Sequence, residues 1–450
     1  EAAYNVPMAL RLSGDLDVAA LEAALGDVAD RHESLRTVFP ESDGVPRQEI
    51  LHGDAGRPGL AVEQLREEDL AEALLAEMGR RFDVERELPW RTRLFVLSED
   101  EAVLVAVAHH VAVDGWSMGL LTRDLATAYA ARRSGTAPDW APLPAQYADY
   151  ALWQRDVLGD LDDPDSLISG QLAHWRDALA GAPEELTLPT DRPRPVTATF
   201  RGGSVELHVP ADAHRRLGAV ARRHGVTMFM VAQAALGMLL ARLGAGTDVP
   251  IGTAVAGRGD EALEDLAGFF VNTLVLRTDV SGDPTFAELL GRVRETDLAA
   301  YSHQDLPFEV LVEELNPARS LARHPLFQVM LALQNLPRAE EPTDLAGLRV
   351  RPLSREEEAA SAAKFDLSFS LAEQRDEHGA AAGMWGGLQY ALDLFDETTA
   401  RTIADRFIRV LEQLAADPDL RAGELELLSA DERDRLLVRW NDTAQRADTT

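Results

Sequence analysis

The chain contains no cysteine, and Lys364 is its single lysine in 450 residues. Without thiols there can be no disulfide, thiolate nucleophile, iron–sulfur cluster or cysteine-based zinc site, so chemistry must come from His, carboxylates, hydroxyls or Arg. Positive charge is scarce as a whole: 44 basic side chains face 76 acidic ones, a formal net charge of −32. Such a field repels phosphate backbones and anionic lipid, which argues against nucleic acid or a membrane surface as partner. Long apolar runs are missing too. The longest, Val226 to Ala241, is interrupted by Gln233 and followed by Arg242, and it falls short of the roughly 20 residues of a bilayer crossing, which predicts a buried helix. The N-terminus has no basic region followed by an apolar core and a small-residue cleavage site, so the expected location is cytoplasmic. No GxxxxGK[ST] loop is present, and no nucleotide is implied.

What is present is ordinary globular text, 46% hydrophobic and 27% charged, long enough for two or three domains. The first third alternates strand-like and helix-like segments. Ala9 to Ser13 reads as a strand feeding an amphipathic helix over Val18 to Arg31, where Leu21, Leu25 and Val28 recur at helical spacing. Leu94 to Leu97 and Ala102 to Ala108 are apolar runs joined by a polar turn. A helical pattern then runs through Met118, Leu121, Leu125 and Tyr129. From about Gly159 to Arg201 the text becomes Asp-, Gly- and Pro-rich, and Pro183, Pro189, Pro193 and Pro195 forbid a continuous helix or interior strand. The junction between two lobes is expected there. Afterwards the alternation restarts with a strand over Ser204 to Val209, a helix from Ala211 to His224 and a strand from Ile251 to Ala256. The expected fold class is therefore α/β.

Between the second apolar run and the helix lies His109-His110-Val111-Ala112-Val113-Asp114-Gly115, an HHxxxDG string. Adjacent side chains at a strand end point to opposite faces, so one histidine is expected to face a cleft and the other to pack. A neutral imidazole can accept a proton from a nucleophile at neutral pH. Asp114, on the turn, is poorly placed to stand behind His110 as a triad carboxylate, and an architectural ion pair with an Arg is the expected role. Gly115 would let the backbone turn sharply and approach a ligand. Two readings compete: a metal site of two His and one Asp, weakened by the divergence of adjacent strand residues, and a purely structural His beside an Asp cap.

The string resembles the core motif of condensation domains of nonribosomal peptide synthetases, in the chloramphenicol-acetyltransferase-like superfamily. Further segments match in order. Arg31-His32-Glu33-Ser34-Leu35-Arg36-Thr37-Val38-Phe39 is similar to the family's RHExLRTxF, and Tyr147-Ala148-Asp149-Tyr150-Ala151-Leu152-Trp153-Gln154-Arg155 to its YxDYAxWQR. Gly268 to Arg277 resembles GxFVNTxxLR, His303 to Glu309 resembles HQDxPFE, and Arg323 to Met330 resembles the last motif. The family's first motif, SxAQxRLW, would precede Tyr4-Asn5-Val6-Pro7 and is not in the chain. Leu436 to Thr443, with Trp440-Asn441-Asp442, looks like the passage into an adenylation domain, so the chain is expected to be a piece of a longer assembly line for an antibiotic or siderophore.

The resemblance implies two chloramphenicol-acetyltransferase-like lobes in a pseudo-dimeric V shape with a central active-site tunnel. The expected boundaries are 1–165 for the first lobe, 166–184 for a linker and 185–450 for the second. It implies peptide-bond formation between acyl or peptidyl and aminoacyl thioesters on the phosphopantetheine arms of upstream and downstream carrier domains, with no permanent cofactor and no metal. An adenylation domain would be the neighbour. His110 would be the general base or the residue that positions the amine, beside His109; Gly115 would offer an N–H to the oxyanion; Asp114 would pair with Arg277, or else with Arg36. Tyr147, Trp153 and Trp175 are expected to be packing aromatics. An epimerisation domain of the same fold and a non-catalytic docking relative are the alternatives. A heterocyclising variant is disfavoured because the string has His where that subfamily carries Asp.

Overall fold

The computed structural model describes residues 4–318, 320–334, 343–345, 347–353 and 362–441. In chain order the main elements are Asn5–Ser13 (β1), Val18–Arg31 (α1), Leu60–Gln64 (β2), Leu70–Gly79 (α2), Trp90–Val96 (β3), Glu101–His109 (β4), Gly115–Arg133 (α3), Tyr147–Leu158 (α4) and Leu167–Ala178 (α5). They continue with Gly202–Val209 (β5), Ala211–His224 (α6), Met228–Leu240 (α7), Asp248–Val255 (β6), Asn272–Asp279 (β7), Phe286–Tyr301 (α8) and Phe308–Leu315 (α9). Val329–Gln334 (β8), Thr343–Leu345 (β9), Leu348–Pro352 (β10), Leu367–Arg375 (β11), Ala381–Ala391 (β12), Glu397–Ala416 (α10) and Ala430–Leu437 (α11) complete the chain.

Two six-stranded sheets organise these elements. The first has the order β9-β10-β1-β4-β3-β2 and the second β7-β6-β8-β11-β12-β5. Strand β4 shows why the first sheet sits where it does. Ala102, Leu104 and Ala108 point into the core beneath α1 and α3, whereas Val103, Val105 and Val107 point into the core beneath α2. A strand apolar on both faces must lie centrally, and β4 pairs antiparallel with β1 on one side and β3 on the other. In the second sheet β8 is parallel to both β6 and β11. The Val226 to Ala241 run becomes α7, buried with α6, α8 and α10 in the largest core.

Two features qualify the boundaries read from the sequence. The expected linker 166–184 is not irregular: α5 occupies most of it, capped by Ser166, whose hydroxyl accepts the Ser169 N–H at 3.2 Å. It packs Ile168, Leu172 and Trp175 against Leu274, Leu276, Phe308 and Phe327 of the second lobe. The proline-rich irregular connection begins only after it. Nor is the first lobe contiguous, since β9 and β10 return from the C-terminal half to extend the first sheet, with β10 antiparallel to β1. Contact density per residue of sequence cannot reveal such an exchange, because the returning strands are short and their partner is more than 300 positions away. Asp442 and Thr443 of the C-terminal passage lie outside the described residues, as do residues 1–3.

Candidate active site

The HHxxxDG string spans the end of β4, a tight turn and the start of α3. The pleat sets the two imidazoles apart, as expected. His109 closes β4 and its ring meets Phe82 edge-on, with centroids 6.0 Å apart. His110 turns the other way and meets Phe269 edge-on at 5.0 Å. Its backbone N–H is held by the Tyr4 carbonyl at 2.8 Å. His110 Nδ1 lies 2.8 Å from the Val113 carbonyl oxygen. A carbonyl can only accept, so Nδ1 carries the ring proton and Nε2 keeps its lone pair. Among the described residues nothing hydrogen-bonds Nε2, and the ring is part-exposed rather than sealed. Burial lowers its basicity below that of an ordinary imidazole; the Lys364 ammonium adds to this, and the Val113 carbonyl and Asp114 oppose it. The neutral form therefore prevails near pH 7.

Asp114 is buried and serves as the N-cap of α3. Its Oδ1 accepts the Ser117 N–H at 2.9 Å and lies 2.7 Å from the Ser117 hydroxyl. Its Oδ2 accepts the Phe270 N–H at 3.1 Å, and Arg258 Nη2 lies 3.3 Å from Oδ1. The architectural ion pair exists, but its partner is Arg258. Arg277 instead binds Asp248, with Nε 2.8 Å from one oxygen, and the Ala178 and Ala180 carbonyls. Arg36 donates to the Ala29 and Leu51 carbonyls and to Glu33. Both ties are local to their own lobes, which is why neither guanidinium reaches the turn.

Arg258 belongs to the connection between β6 and β7, which crosses to the first lobe. Gly257 permits the crossing: it has φ +65°, and a Cβ there would stand 2.0 Å from the Phe270 carbonyl oxygen. Arg258 then donates to the Leu266 carbonyl at 2.7 Å and lies over the Phe270 ring at 4.0 Å. The same connection is tied by Trp116 Nε1 to the Glu264 carbonyl and by the Tyr147 hydroxyl to the Phe269 carbonyl. A signal for Arg258 was present, an Arg between two glycines just after a strand, but nothing local connects it to a turn 144 positions earlier.

Gly115 behaves differently from expectation. Its φ is not in the left-handed region and a Cβ would meet no atom within 4 Å, so the backbone does not require glycine. It is exposed at the first turn of α3, beside His110. Of the three aromatics, Tyr147 and Trp175 pack, Trp175 also donating to the His303 carbonyl at 2.8 Å. Trp153 lies 6.0 Å from the Tyr150 ring but is 54% exposed on α4.

The remaining motif residues build the scaffold. His32 is buried with Nε2 2.8 Å from Asp124, and burial lowers its basicity. Asn272 donates to the Gln304 and Leu306 carbonyls, and Gln171 donates to Asp305. His324, packed among Phe308, Phe327 and Phe365, is pushed by burial to about 4. No group of three or more His, Asp or Glu suited to a metal ion occurs among the described residues.

Comparison with known proteins identifies the family. A family model described as "Condensation domain" matches residues 1–437. The chain is 50% identical over 445 residues to a dimodular nonribosomal peptide synthase of Bacillus subtilis (strain 168), covering 98% of this chain and 18% of that protein. It is 56% identical over 427 residues to CymA, a probable non-canonical nonribosomal peptide synthetase of Salinispora arenicola (strain CNS-205), covering 95% and 5%. Among solved structures it resembles the X-domain in a complex of the X-domain and OxyB from teicoplanin biosynthesis, with TM-score 0.88 and 43% identity over 95% of this chain and 91% of that one. The chain thus spans less than a fifth of the length of these two curated relatives.

Proposed function

The chain belongs to the condensation domain family of nonribosomal peptide synthetases, and from that membership we propose that it forms peptide bonds, transferring an upstream acyl or peptidyl thioester to the α-amine of a downstream aminoacyl thioester. Both substrates would arrive on phosphopantetheine arms of carrier domains, through a passage between the two lobes, and an adenylation domain would flank the chain in a cytoplasmic assembly line. The amine nitrogen attacks the thioester carbonyl carbon, the carbon–sulfur bond breaks, and the donor arm leaves as a thiol. The proton released by the nitrogen passes to His110 Nε2 and from there to the departing sulfur.

The observation that carries this reading is the tautomer lock on His110. Its Nδ1 is committed to the Val113 carbonyl, so the open nitrogen is a base or hydrogen-bond acceptor for an amine N–H. Gly115, whose N–H lies in the first turn of α3, is the candidate donor to the tetrahedral oxyanion, a contact type worth roughly 3 kcal/mol where one has been removed. The test is transfer between two loaded carriers. His110→Ala should lower it by about 10²- to 10⁴-fold, the usual span for a general base, with the fold retained. Unchanged transfer would remove His110 from the mechanism.

A second reading is favoured by one specific likeness, that to the X-domain described in complex with OxyB. On that reading the chain recruits a partner enzyme and catalyses nothing. The complete HHxxxDG string with its open Nε2 supports catalysis instead. Carrier binding with no transfer by the wild-type chain would decide for docking, and hydrogen exchange at Cα of a single loaded carrier would decide for epimerisation.

A further inference from the structure

The chain's single lysine is also a cation to which the described residues bring no carboxylate. Among the described residues Lys364 makes no ion pair and no hydrogen bond; its ammonium lies 5.0 Å from the Tyr4 ring centroid. The nearest acidic side chain in sequence, Asp366, is taken by Arg194 at 2.9 Å. Lys364 stands three residues before β11 of the second sheet, and Tyr4 immediately precedes β1 of the first, so the contact bridges the two sheets. It does so at the imidazole pair: the Tyr4 carbonyl holds the His110 N–H at 2.8 Å, and the Tyr4 ring is 6.0 Å from that of His109.

An ammonium that is half-buried and has no partner among the described residues is costly, and burial lowers its proton affinity. A lysine placed only for packing on Tyr4 would serve as well with a neutral stem. The charge does have neighbours on which to act. Burial is the main cause that disfavours the imidazolium of His109, His110 and His324, and the repulsion from Lys364 adds to it in each case. The other groups facing His110 are Asp114 at the start of α3, which opposes Lys364 and is itself neutralised by Arg258, and His109 at the end of β4. Phe269, from the crossing connection, brings no charge.

We propose that Lys364 is an electrostatic positioning residue of the His110 site, whose unpaired charge holds both His110 and the arriving α-amine in their deprotonated forms. The half concerning the amine rests on the condensation reading above; the half concerning His110 does not. An α-ammonium entering beside Lys364 loses one proton to solvent before attack, the neutral amine gives a second to Nε2 as the carbon–nitrogen bond forms, and no further reactant is needed. A neighbouring cation is a known way to make an amine nucleophilic near neutral pH.

Because Lys364 is unique, chemistry on the folded chain can address it. Reductive methylation modifies only Lys364 and the chain's own α-amine and keeps the charge, whereas acetylation removes it. The measurement is an NMR titration of the His110 Cε1–H, assigned by its loss in His110→Asn. The midpoint should rise by about half a pH unit or more, roughly threefold in the proton-binding constant, on acetylation and in Lys364→Met. It should stay in place on methylation and in Lys364→Arg. An unmoved midpoint in the neutral forms overturns the proposal, and an equal rise in Lys364→Arg does so as well, because charge would not be the cause. Should Lys364→Met fail to fold, acetylation of the folded chain supplies the neutral state. The acid limb of the rate of amide formation against pH should move up with the titration while the plateau stays within about threefold, a displacement that lost packing would not produce. If the wild type forms no amide at all while the titration shift is seen, the condensation reading falls and the coupling between Lys364 and His110 stands.

Discussion

Arg258 and Asp114 meet at 3.3 Å across 144 positions of chain, and the contact joins the crossing connection of the second lobe to the turn that carries His110. Both side chains are nearly inaccessible, at 2% and 3%. Truncating one partner of such a pair strands the other charge. Arg258→Met is expected to destabilise the chain by about 3 to 5 kcal/mol. Asp114→Asn, which can still accept the Ser117 N–H, should cost less, about 1 to 2 kcal/mol. Urea denaturation midpoints measure both, and equal losses would show that the ion pair and not the retained cap carries the turn.

The two histidines should separate in activity. His109 packs edge-on to Phe82 and turns away from His110, so His109→Leu is expected to keep amide formation within about tenfold, whereas His110→Ala loses about 10²-fold or more. Comparable losses in the two variants would mean that His109 also contacts substrate.

Gly115→Ala isolates the space beside His110. Beyond its own turn of helix, a methyl there meets no atom of the described residues within 4 Å, and the backbone is not left-handed, so stability should change by no more than about 0.5 kcal/mol. A fall in transfer at unchanged stability would place substrate in that space; unchanged transfer would leave the glycine without a role in the reaction.

A pH effect on stability is expected from the second lobe. Asp297 on α8 is fully buried, neither carboxylate oxygen has a hydrogen-bond partner among the described residues, and burial raises its proton affinity to about 7, partly offset by the nearby Gln233 amide. The folded value lies above the unfolded one of about 3.9, so its contribution is fully present below pH 4, falls as pH rises, and is gone above about 7, a span on the order of 4 kcal/mol. Asp297→Asn should flatten that slope and stabilise the chain at pH 8. Parallel pH dependences in the two proteins would show that another group is responsible.

Much of this architecture was legible locally. The apolar text of β4, the spacing of α1 and the helix through Tyr129 are period-2 and period-3.6 patterns, and each appears within a few residues of its expected limits. The divergence of His109 from His110 followed from the pleat alone. The structural role of Asp114 was also readable, because a capping carboxylate before a helical pattern is a local event. The helix α5 was hidden because its text precedes the prolines rather than containing them, and the loop composition around it dominated the reading.

Composition, alternation and the HHxxxDG string thus settled the class of the fold and singled out the imidazole proposed to react. Folding alone selected Arg258 over Arg277 and Arg36, drew β9 and β10 back into the first sheet, and brought Lys364 to the imidazole pair. Strand and helix periods arise from each residue's own backbone geometry and its near neighbours. Which of 43 arginines neutralises a given buried carboxylate depends on where a connection such as that through Gly257 crosses between lobes, and that crossing leaves no period in the chain.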